Sequence, residues 1–98
     1  MKRNLIIKED EVGSDYFRAI SKVIDMRKNR AKIYGSDFDF PAETFIWAAF
    51  QKIHRLIYNI QNKANNYESA IDNAVDLTNY ALFSMIALEK REKKRWET

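Results

Sequence analysis

Apolar positions recur at three- and four-residue spacing in three stretches of the chain, the period of an amphipathic helix. In the first, Tyr16, Phe17, Ile20, Val23, Ile24 and Ala31 follow a loop and candidate N-cap at Gly13-Ser14-Asp15. This helix should end near Tyr34-Gly35, because glycine accepts the left-handed backbone that commonly closes a helix. Ser36-Asp37-Phe38-Asp39-Phe40-Pro41 then breaks the pattern, and Pro41 suits the first position of a second helix. There Phe45, Ile46, Ala49, Phe50, Ile53, Leu56, Ile57 and Ile60 keep helical step, up to a polar, turn-prone stretch from Asn62 to Asn66. From Tyr67 the pattern resumes through Ile71, Ala74, Val75, Thr78, Ala81, Leu82, Met85, Ile86 and Leu88, and a charged tail over residues 90–98 extends it.

The chain therefore reads as one all-α domain over residues 1–98, with an N-terminal segment over residues 1–13. Its three main amphipathic helices form an antiparallel bundle, with Ile53, Ile57, Ala74, Val75, Leu82 and Ile86 expected in the core. With 98 residues the core is small. Completion by a second copy, as a homodimer, is expected for that reason. Composition agrees, with 46% apolar and 32% charged residues but only two Gly and one Pro, which argues against disorder and against an all-β fold. No cysteine is present, which removes disulfides, thiolate zinc sites and a Cys nucleophile. The apolar run at Leu5-Ile6-Ile7 is too short for a signal peptide. No later run approaches the ~20 apolar residues of a membrane span, so the expectation is a cytoplasmic protein with no membrane partner.

Charge is unevenly placed. The net charge of +3 divides into +4 over residues 1–35, 0 over 36–67, −4 over 68–89 and +3 over 90–98. The third helix is thus an acidic rod in a basic protein. Glu68, Asp72 and Asp76 follow one another at i,i+4, each about 40° further round a helix, so they line one face. Such like-charge stacking is unfavourable unless a cation, a metal or a basic partner offsets it. One reading is a Mg²⁺ site, since hard carboxylate oxygens suit that ion and it is often shared with substrate phosphates. Glu43 and Asn79 would add ligands, and Lys52, Arg55 or Lys63 would hold the phosphates. The plainer reading is that Glu68 helps the helix start while Asp72 and Asp76 pair with cations of the first two helices.

The single histidine, His54, has no second His, Cys or Ser-centred motif beside it and reads as a packed or surface residue. Phe45, Trp47, Phe50 and Tyr58 read as core or dimer contacts rather than a base-stacking platform. Arg27, Lys28, Arg30 and Lys32, like the tail cations, are interleaved with acids or suit a helix dipole. They lack a recognition helix, so nucleic acid would bind weakly and without sequence preference at most.

Several short elements, taken in order, carry a resemblance: Lys32-Ile33-Tyr34-Gly35, then Lys52-Ile53-His54-Arg55-Leu56, then Asn66-Tyr67-Glu68-Ser69 followed by Asp72 and Asp76-Leu77-Thr78-Asn79-Tyr80-Ala81. Together, over residues 27–89, they resemble the first type of small all-α nucleotide-modification-associated domain of phage and prokaryotic proteins. More distantly the chain resembles the all-α nucleoside triphosphate pyrophosphatases of the MazG type. That family pairs Glu-x-x-Glu on one helix with Glu-x-x-Asp on another, whereas this chain has Asn73 three positions before Asp76 and a lone Glu43. The resemblance implies a viral or mobile-element protein that binds or processes nucleotides. If it is catalytic, the implied reaction is Mg²⁺-dependent pyrophosphohydrolysis of a (d)NTP. The alternative is a non-enzymatic helical interaction or nucleic-acid-associated protein of a virus or phage.

Overall fold

The computed structural model describes residues 7–35, 39–62 and 67–97, without the side chains of Tyr34, Tyr67, Glu68 and Glu97. The described residues form four α-helices and no strand: α1 (Glu9–Val12), α2 (Ser14–Tyr34), α3 (Ala42–Gln61) and α4 (Tyr67–Glu97). The protein is all-α. Helices α2, α3 and α4 fall where the periodicity places them. The short α1 lies within the N-terminal segment, where Glu9, Asp10 and Glu11 occupy its first turn and leave no apolar period to read. Acids there suit the positive end of the helix dipole.

Two glycines punctuate the chain. Gly13 (φ 89°) and Gly35 (φ 87°) take backbone conformations costly for any side chain, and their N–H groups close α1 and α2 on Glu9 O and Ala31 O. Pro41 sits one residue before α3, and its carbonyl accepts from Thr44 N–H at 3.0 Å. The tail is helical through Glu97. Lys, Arg and Glu are good helix formers, and Trp96 Nε1 donates to Glu92 Oε1 one turn back at 2.9 Å.

Helices α3 and α4 make the main contact and run antiparallel. At one end Arg91 donates to Glu43 at 2.8 Å, and at the other Asn73 donates to Asn59 at 2.8 Å. Helix α2 rests more lightly on one side of this hairpin, where Asn79 on α4 reaches the Val23 carbonyl at 3.5 Å. The buried apolar residues are Val23, Ala42, Phe45 and Val75, and among the described residues no large side chain is completely enclosed. Phe45 anchors this core, tilted against Phe83 at 5.2 Å and edge-on to Phe40 at 6.0 Å.

The core differs from the expected one. Of the six residues assigned to it, only Val75 is buried; Ile53, Ile57, Ala74, Leu82 and Ile86 are exposed. The reason lies in how α3 is rotated. The side of α3 that meets its neighbours carries Phe45 together with the polar Lys52 and Asn59, held by an ion pair and an amide hydrogen bond. The stripe of Ile46, Phe50, Ile53 and Ile57 is turned outward instead.

Candidate anion-binding site

Three helices converge on one carboxylate. Asp76, buried on α4, receives Arg30 from α2 (Nη2 to Oδ1, 2.8 Å) and Lys52 from α3 (Nζ to Oδ2, 2.9 Å). The Arg30 contact is an ion pair without the alignment of a hydrogen bond. Lys52 is itself largely covered, with a side chain 16% exposed against 40% for Arg30. A buried carboxylate is costly unless charges of opposite sign accompany it, and here two do. This is the plainer of the two readings of Asp76, with cations of the first two main helices offsetting it.

Above this cluster lies an open pocket of about 530 Å³ whose wall includes Arg27, Arg30, Phe40, Phe45, Tyr80 and Phe83, with Asn79 at its edge. Arg27 holds its guanidinium 5.0 Å from the centre of the Phe83 ring, a cation-π arrangement. On α4, Asp76, Asn79, Tyr80 and Phe83 follow at helical spacing, so one face of one helix supplies the acid, the amide and two rings. Arg27 and Arg30, three apart on α2, present two guanidinium groups to the same space. Arg30 and Lys52 reach Asp76, and Arg30 and Arg27 both line the pocket. Such a site suits an anionic group joined to an aromatic body: guanidinium for phosphate or carboxylate, ring faces and edges for the aromatic part.

The residues expected to bind metal are not brought together. Asp76 has both oxygens facing cations, Asn79 is buried beside it, and Asp72 is exposed one turn earlier. Glu43 pairs with Arg91. Arg91 lies fifteen positions beyond Asp76, about 22 Å along α4, so one ion cannot bridge Glu43 and Asp76. The side chain of Glu68 lies outside the described residues, as does all of Lys63. Among the described residues no three His, Cys, Asp or Glu side chains converge as a metal site. Among the described residues Asp76 is committed to Arg30 and Lys52 rather than open to a metal. Of the expected phosphate ligands, Lys52 is committed to Asp76 and Arg55 is exposed.

Among the described residues, Arg27 and Arg30 are the cations that line the pocket. In the sequence they read as a dipole-matched cluster; the signal for their role is their i,i+3 spacing together with the aromatic pair Tyr80 and Phe83 three apart on α4. The Arg91 hydrogen bond holds the Glu43 carboxyl below its ordinary value, and Glu43 in turn raises Arg91. His54 is exposed, edge-on to Phe50 at 4.5 Å. No helix of the described residues is long and apolar enough to cross a membrane. No family model, curated protein or solved structure matches the chain.

Proposed function

We propose that this domain binds nucleotides in the pocket between α2, α3 and α4, with the phosphate between Arg27 and Arg30 and the base among Phe40, Tyr80 and Phe83. One observation carries the reading: two arginines and several aromatic rings line a single open pocket, at a volume ordinary for small-ligand sites. The resemblance to a nucleotide-modification-associated domain of phages and prokaryotes supports the same ligand class. The proposal is one of binding. Metal-assisted hydrolysis requires carboxylates free to coordinate, and Asp76 faces Arg30 and Lys52 instead. A bundle closed by a second copy belongs to this proposal too, and the face concerned is argued below. The other reading, a non-enzymatic interaction protein of a virus or phage, draws on the apolar side chains that α3 exposes.

Calorimetric titration with dAMP, dATP and inorganic phosphate, each with and without Mg²⁺, tests the reading. The nucleotides should bind more tightly than phosphate alone, without needing Mg²⁺, and Arg27→Gln should weaken them about tenfold, the loss of one charge-assisted contact. Asp76→Asn sets the two readings of the acid against each other. In the proposed site Asp76 competes with the ligand for Arg30, so its neutralisation should tighten binding. In a metal site the same change abolishes binding. No binding at millimolar nucleotide would overturn the proposal. Pyrophosphate release from dNTPs with Mg²⁺ or Mn²⁺ would restore the carboxylates as metal ligands.

A further inference from the structure

We infer that the outward face of the α3–α4 hairpin is the interface with a second copy of this chain. The inference stands independently of what the pocket binds. Helix α2 lies on one side of the hairpin, and the opposite side is an open groove of about 740 Å³ lined by Ile46, Phe50, Ile53, Met85 and Leu88, with Glu89 and Glu92 at one rim. These five apolar side chains are between 42% and 51% exposed, although Ile46, Phe50 and Ile53 belong to the apolar stripe of α3, the most amphipathic of the three long helices. A helix keeps such a stripe where something covers it.

The thin core bears on the occupant. With four buried apolar residues and no large side chain fully enclosed, the described protomer holds only part of the apolar burial that a stable domain needs. A partner that must be present whenever the chain folds is another copy of it. Two hairpins stacked through this face about a two-fold axis form a four-helix core with one α2 on each outer side, a closed and self-complementary arrangement.

Sedimentation equilibrium of the full chain tests this. At about 20 µM, well above the dissociation constant of an obligate interface, the mass should be twice the 11.6 kDa of one chain. Ile53→Glu and Met85→Glu each place a charge on the face at positions the protomer already exposes, and each should raise the dissociation constant at least a hundredfold while the helical circular-dichroism signal persists. Ile24→Glu, exposed on α2 away from the groove, should leave the dimer intact. If either charged variant fails to fold, Met85→Cys supplies a second measurement, because the chain has no other cysteine. A short bis-maleimide should then yield a covalent homodimer in high yield. A monomer at 100 µM would overturn the inference and leave the face to a different partner. A dimer that survives both glutamates, or that Ile24→Glu dissociates, would overturn it as well.

Discussion

Asp76 shows how little separates two readings of one residue. Glu68, Asp72 and Asp76 share a helical face by spacing, but each step of four drifts about 40° round the helix, and the structure uses the drift. Asp72 is in solvent, while Asp76 is buried between Arg30 and Lys52. Pairing with cations of the first two main helices was therefore legible as a class of interaction. Its partners were not, because the rotation of α2 and α3 about their axes decides which cations arrive. Removing one partner should be costly. Lys52→Met keeps the aliphatic stem but leaves Asp76 with Arg30 alone, and should destabilise the chain by about 1–3 kcal/mol. Urea denaturation followed by circular dichroism measures this; an unchanged midpoint would mean that water solvates Asp76 well enough without the lysine.

At the scale of the elements, helix placement was legible because apolar period and breakers agree. The break at Gly35 is where the sequence puts it, while Pro41, expected at the first position of the next helix, caps α3 from one residue before it. The identity of the buried faces was not, since Lys52 and Asn59 occupy the α3–α4 seam that apolar residues were expected to fill. Helix α4 is also longer than its apolar pattern, and its last turns are tied down by the Arg91–Glu43 contact. That contact has a pH signature. Because Glu43 is held below its ordinary value when folded, its contribution is complete above the unfolded carboxylate range and is lost as pH falls through the lowered folded value. The melting difference between wild type and Glu43→Gln should therefore be present at neutral pH and vanish in acid below 4.5. A difference constant down to pH 2 would show that the pair contributes nothing electrostatic. Deleting residues 90–98 removes Arg91 together with the basic run around it. The shortened chain should lose helical signal and also any weak, salt-sensitive DNA binding; sequence-specific DNA binding at physiological salt would contradict this reading of the tail.

For the whole molecule, the radius of gyration of 15.8 Å exceeds the roughly 12.6 Å of a typical globule of this length. Among the described residues most large apolar side chains are at least partly exposed, so the chain spreads them rather than gathering them. The sequence showed the small core that a short chain must have, but not that its strongest stripe faces away from its own neighbours; periodicity finds a stripe without saying what lies opposite. One consequence is thermal. The heat-capacity change on unfolding scales with the apolar surface newly exposed to water, and a protomer that encloses so little of it has little left to expose. Its stability curve should be shallow and its calorimetric transition broad, with the melting temperature moving by many degrees for each kcal/mol gained or lost. Association adds apolar burial and so sharpens the transition. A melting temperature that climbs with protein concentration, with a peak that narrows as it climbs, is the expected calorimetric record, whereas a concentration-independent sharp transition would belong to a self-sufficient monomer.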